Sequence, residues 1–254
     1  MTKTVLRLSA IILAAGTLLA AGAMGTQADE FAMANKFYQD KDYESAVRLY
    51  QSILNQNVES ANLYFNLGNA YFKHGDLGRA VLYYMKARRL APGDPDIVHN
   101  LEFARQFSSV QMEGVELNPI HAFFEGVAGP YRLSALAWLS SLFFVVLMLL
   151  LCLRYGLGMD RSLIRIGVVL SLVLLIVAAG LTSFKYRNDY LIRRAVITAD
   201  KADVYTGPSP QSDVELQGAP GLVVEILSES GEFYSVLFEN KRRGWIKKDL
   251  VAVI

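Results

Sequence analysis

Cysteine is almost missing from this chain. The one residue in 254, Cys152, has no partner for an internal disulfide and lies inside an apolar run. Histidine is nearly as scarce: His74, His99 and His121 stand far apart, with no pair at metal-ligand spacing. Charge of one sign is also lacking, since 25 basic and 24 acidic residues leave a net charge of +1. No global field therefore draws the chain to nucleic acid. A nucleophile elbow and a phosphate-binding glycine loop are absent too. The fragment Gly156-Leu157-Gly158 follows an apolar run instead of a strand, and Asp94 and Asp96 belong to a turn. These gaps argue against an enzyme, and no cofactor or metal is expected. What the chain has in excess is apolar residues, 53% against 19% charged. That is too apolar for a uniform soluble surface.

The excess is gathered into discrete runs. Lys3 and Arg7 precede an apolar stretch from Leu8 to Ala21, followed by small residues and then Asp29 and Glu30. This is the layout of a secretory signal peptide over 1–28, cut after Ala28, or of an uncleaved anchor. Leu133 to Leu153 and Ile166 to Phe184 contain no charged residue. At about 1.5 Å per residue each run spans a hydrocarbon layer of about 30 Å as a helix. The expectation is a two-helix transmembrane hairpin, 133–153 and 166–184, joined by a loop over 154–165. Tyr131, Trp138, Tyr155 and Tyr186 near the ends suit the membrane interface. No ionisable residue sits in the middle of either run, which argues against an ion path. Basic residues do not settle orientation, because Arg154, Arg161 and Arg165 in the loop are matched by Lys185, Arg187, Arg193 and Arg194 beyond it. Two crossings nevertheless put both flanking segments on one side. Export at the N-terminus makes that side extracytoplasmic and the loop over 154–165 cytoplasmic.

Between these runs the sequence repeats itself. DYESAVRLYQSIL matches DLGRAVLYYMKAR, with Ala46 to Ala80 and Tyr50 to Tyr84 each 34 residues apart. Tyr64, Leu67, Gly68 and Tyr71, then Ala80, Tyr84 and Ala87, recur at helical spacing on either side of Gly75-Asp76. Pro92 and Gly93 end the second helix. Period and pattern resemble the tetratricopeptide repeat, an α-helical fold expected over 29–107. The first copy is degenerate: Met33 and Ala34 replace Leu-Gly, and Lys41 stands where the turn glycine is usual. A third half-unit, DPDIVHNLEFARQF, reads as a solvating cap helix through Val98, Leu101 and Arg105. So short an array is near the minimum for stability, so it is either marginal or completed by a partner. The resemblance places the first helix of each repeat on a concave face, bringing Asn35 and Tyr38 beside Asn66, Asn69, Phe72 and Lys73. The amides would bond an extended peptide and Lys73 a carboxylate. Alternatively Asn69 bonds within the scaffold and Lys73 is merely solvated.

Residues 108–132 read as a linker, in which PIHAFFEGVAG is either an interfacial amphipathic helix or a tether with an aromatic anchor. Over 193–254 the texture turns to short β-rich runs, AVITA, VVEIL, EFYSVLF and GWIKK, separated by turns. A small all-β barrel is expected. Ala202-Asp203-Val204, Gly207-Pro208, Val223 to Leu227 and Gly244-Trp245-Ile246 resemble bacterial SH3 domains, with Tyr205 and Phe233 as departures. Tyr205, Tyr234 and Trp245 are candidate surface aromatics, unless Trp245 fills the barrel core. Lys241 to Arg243 is either a basic hairpin tip or a solvated turn.

The full order, signal peptide, repeat pair, two membrane helices and SH3-like domain, resembles the BatE-type family of the Bacteroides aerotolerance (Bat) system. The resemblance implies a non-catalytic multidomain protein of the bacterial inner membrane, its repeat and SH3-like domains in the periplasm, working with von Willebrand A-type membrane proteins and a MoxR-type ATPase in stress tolerance or envelope function. The alternative is a wall-associated anchoring or sensing protein whose SH3-like domain grips peptidoglycan. Expected partners are thus the lipid bilayer, other protein subunits and, on the second reading, peptidoglycan, but not nucleic acid.

Overall fold

A computed structural model describes residues 27–109, 119–159 and 161–254. The expected signal peptide falls, apart from its last two residues, outside the described residues, as does part of the expected linker.

Helices α1 (described over 27–39), α2 (Tyr43–Asn55), α3 (Ala61–His74), α4 (Leu77–Leu90) and α5 (Pro95–Ser109) form the repeat region. Local chemistry fixes their ends. Asp42, Ser60 and Asp76 each accept a backbone N–H three residues on, capping α2, α3 and α4. Gly75 ends α3 at φ 95°, and the Asp76 N–H returns to the Tyr71 carbonyl at 2.9 Å. The same turn recurs 34 residues earlier, where the Asp42 N–H meets the Phe37 carbonyl at 2.9 Å. There Lys41 holds the left-handed position at φ 64°. The degenerate first repeat thus keeps the geometry of the second despite the wrong residue for it. At Gly68 a Cβ would lie 2.7 Å from the Tyr84 ring, so the absent side chain lets α3 and α4 close. Ala34, Ala46, Leu67, Ala70, Ala80, Tyr50 and Tyr84 are buried between the helices.

Residues Pro119–Ala128 form helix α6, favouring the helical alternative for that stretch. Helices α7 (Leu133–Leu151) and α8 (Ser162–Tyr186) follow and pack on each other. Each continues as one π-helical turn, Cys152–Gly156 and Arg187–Leu191. Helical structure therefore overruns both ends of the expected loop. Both helices are long and apolar enough to cross a membrane. Trp138, Leu142, Val169 and Ile176 on them are exposed, so these are not the core helices of a globular fold.

The C-terminal unit is a seven-stranded antiparallel sheet in the order β3-β2-β6-β5-β4-β1-β7. Its strands are β1 (Arg194–Ile197), β2 (Ala202–Tyr205), β3 (Val214–Gly218), β4 (Val223–Ser230), β5 (Phe233–Phe238), β6 (Arg243–Lys247) and β7 (Val251–Val253). Alternation in β6 buries Gly244 and Ile246 and turns Trp245 outward, half-exposed. Trp245 therefore does not fill the core, and Ile246 does. Lys241 and Arg242 lie in an exposed turn between β5 and β6, and the exposed Arg243 opens β6.

Repeats and sheet touch. A Cβ on Gly78 of α4 would lie 2.7 Å from the Ile197 carbonyl and the Thr198 Cα, so backbone meets backbone there. Val196, Val223, Ala252 and Ile254 pack against the helical core. The expected cap helix also meets the sheet. Ile97, Leu101 and Ala104 of α5 are buried, its Arg105 pairs with Glu239, and the buried Ser108 donates to the Pro220 carbonyl at 2.8 Å. Hence α5 packs one face on α4 and reaches the sheet through Arg105 and Ser108, while Phe103 and Phe107 stay exposed.

A left-handed lysine costs about 1 kcal/mol relative to glycine. Replacing Lys41 by Gly is expected to raise stability by about 0.5–1 kcal/mol in chemical denaturation. Gly75→Lys should lower it by a similar amount.

Candidate functional site

The expected groove residues lie on α1 and α3, and the structure ties them into a periodic lattice. The Tyr50 hydroxyl donates to Asn35 Oδ1 at 2.6 Å, and Asn66 Nδ2 donates to the same oxygen at 3.0 Å. One repeat later the Tyr84 hydroxyl donates to Asn69 Oδ1 at 2.7 Å, joined by Asn100 Nδ2 at 2.9 Å. Ring contacts repeat as well, Phe31 on Tyr50 at 5.8 Å and Phe65 on Tyr84 at 6.0 Å. Burial pushes the Tyr50 hydroxyl up to about 12 and raises that of Tyr84, so both remain protonated donors. Every member of this lattice recurs at the repeat interval of 34 residues.

The lattice divides the asparagines by atom. The oxygens of Asn35 and Asn69 are saturated from within the scaffold, while their Nδ2 groups make no hydrogen bond among the described residues. Half-buried on α1 and α3, these two amides are donors without acceptors. An extended backbone supplies carbonyls of the kind they lack. Tyr38 is half-buried edge-on to Tyr43 at 5.5 Å, its hydroxyl raised by burial and by Tyr43. Lys73 is exposed in the last turn of α3. Phe72 joins Phe103 at 5.7 Å and Phe107 at 5.8 Å, and those two rings meet edge-on at 5.3 Å. Phe103 and Phe107 are 45% and 58% exposed, an apolar patch at one end of the face. Asn100, Phe103 and Phe107 were not among the sequence candidates. Continuing the 34-residue step from Asn66 and Asn69 onto α5 would have found Asn100 and Phe103.

The candidate aromatics of the sheet do not converge. Tyr205 and Trp245 are directly opposed on β2 and β6, and Tyr205 meets Phe233 edge-on at 5.9 Å. Tyr234 opposes Ile246 on the other face, beneath Lys248 at 5.0 Å and Arg193 at 6.0 Å.

Against known proteins, residues 31–95 match the tetratricopeptide repeat family. This segment is a tetratricopeptide repeat array. Such arrays are interaction modules and typically non-catalytic, so the segment is a protein-binding one. The crystal structure of yeast Tom70 is similar at 15% identity, with a TM-score of 0.31, over 66% of this chain and 26% of that one. The chain thus spans about a quarter of that structure, a likeness too loose to inform the rest. No curated protein matches the chain.

In the tetratricopeptide array, Asn69→Ala should cost about 1–3 kcal/mol, because it strands the Tyr84 hydroxyl and the Asn100 amide together. Tyr84→Phe, which leaves Asn69 one donor, should cost about 0.5–1.5 kcal/mol. Denaturant unfolding followed by circular dichroism checks the ranking.

Proposed function

We propose that this chain is a non-catalytic scaffold of a bacterial inner membrane, holding its tetratricopeptide array and SH3-like domain together on the periplasmic face. The observation that carries the reading is the docking of array and sheet on one another beside the same ends of α7 and α8. Arg88 of α4 pairs with Glu125 of α6 at 2.9 Å, and Asn188, just past α8, donates to the same carboxylate at 3.1 Å. Lys185, buried at the end of α8, donates to the Gly129 carbonyl just before α7 at 3.1 Å and pairs with Asp189 at 3.3 Å. The exposed apolar sides of α7 and α8 need a non-aqueous solvent, since each leucine-sized side chain left in water forgoes about 1.5–3 kcal/mol.

The array would receive an extended peptide of a partner subunit, its backbone on the Asn35 and Asn69 amides and an apolar end on Phe72. A von Willebrand A-type membrane protein of a Bat-type, BatE-containing assembly is the partner the sequence resemblance suggests. Peptidoglycan anchoring has less support, because Tyr234 stands apart from Tyr205 and Trp245 and no continuous aromatic platform forms.

Protease added outside spheroplasts should degrade array and sheet while sparing a fragment containing α7 and α8. Protection of both, with degradation only after lysis, would overturn the topology.

A further inference from the structure

Where the array, α6, the end of α8 and the sheet meet, a cleft opens beside the docking contacts. Arg88 and Arg89 of α4 and Arg194 of β1 line it, with Glu125 and Asp189 as the acidic members and Met85 and Ile192 as apolar wall. Ile254 completes the lining, and the two acidic side chains are already engaged. Glu125 is taken by Arg88 and Asn188, and Asp189 by Lys185. Arg194 spends its guanidinium on neutral acceptors, the Asn188 carbonyl at 2.9 Å and side-chain oxygen at 2.6 Å. No carboxylate among the described residues pairs with Arg89 or Arg194. Arg89 and Arg194 thus line one concavity with no ion pair of their own among the described residues, which suits a phosphate.

The depth of the cleft identifies the source of that phosphate. This step rests on the membrane reading above. Asn188 and Asp189 lie just past Phe184, the end of the apolar run, so helical rise sets them about 5–7 Å beyond the hydrocarbon edge. The polar layer of a bilayer occupies about that distance on each side. Helix α6 marks the same level. Its Phe124 packs on Phe184 at 5.4 Å while Ile120, Phe123 and Val127 are exposed along one face. Tyr186 and Tyr190, stacked at 5.6 Å and exposed, stand there too.

We propose that this cleft binds the phosphodiester of an anionic phospholipid, gripped by Arg89 and Arg194 and flanked by Arg88. The lipid would tie the array, the membrane helices and the sheet at one point, so its occupancy would fix how the interaction face stands above the bilayer.

The test uses the full-length chain in mild detergent, titrated separately with phosphatidylglycerol, phosphatidylcholine and inorganic phosphate while thermal unfolding is followed. Phosphatidylglycerol alone should raise the unfolding temperature. Arg89→Gln should weaken that effect about tenfold, the loss of one charge-assisted contact. Arg187→Gln, at the same depth but outside the cleft, should retain it. Equal weakening by both variants would mean diffuse surface charge, and an equal response to phosphatidylcholine would mean no anion site; either overturns the proposal. A shift with inorganic phosphate alone would overturn the lipid assignment. A chain that enters nanodiscs yet shows no phosphatidylglycerol preference defeats the cleft proposal only. One that stays monodisperse without detergent and enters no bilayer defeats the membrane reading itself.

Discussion

Helix α4 lies against strand β1 because position 78 carries no side chain. With a Cβ there, the helix backbone would strike the Ile197 carbonyl, and the two units would part by the width of a methyl group or more. Around this point of contact the rest is arranged. Val196 and Val223 complete the apolar core of the repeats, Ser108 reaches the Pro220 carbonyl, and Arg105 reaches Glu239. A two-repeat array is short of the stack that normally buries its faces. Here the missing neighbour is supplied from the chain's own C-terminal sheet. The array and the sheet therefore form one docked body.

The asparagine–tyrosine lattice has a related logic. Buried hydroxyls must be paired, and each tyrosine is paired to the asparagine that also receives the next repeat's amide. Internal satisfaction of the oxygens leaves the nitrogens oriented by a rigid frame. The Asn69 oxygen thus serves the scaffold, and the peptide recognition proposed for this residue falls to its nitrogen.

Much of the fold was legible in the sequence because it is local or periodic. The 34-residue interval exposes α2 to α4, and charge-free runs expose α7 and α8. What stayed hidden depends on contacts distant in sequence. Strands β2, β3 and β7 are short, and β3 is largely exposed, so no apolar alternation announces it. Arg105 looks like a solvated cap residue and Ser108 like the start of a linker until their partners, more than a hundred positions away, are in place. Gly78 reads as an ordinary helix-start glycine, because the strand it admits is not its neighbour in the chain. Trp245 was ambiguous since register alone decides which face of β6 is core.

The docked body is tested most directly by hydrogen exchange in strand β1 of the full-length protein, compared with Gly78→Val. Gly180→Val serves as control, its position being open space. Gly78→Val should accelerate exchange at Val196 and Ile197 while the control leaves it unchanged. If β1 is as protected in Gly78→Val as in the unaltered chain, the array and the sheet are independent units and the central claim is wrong.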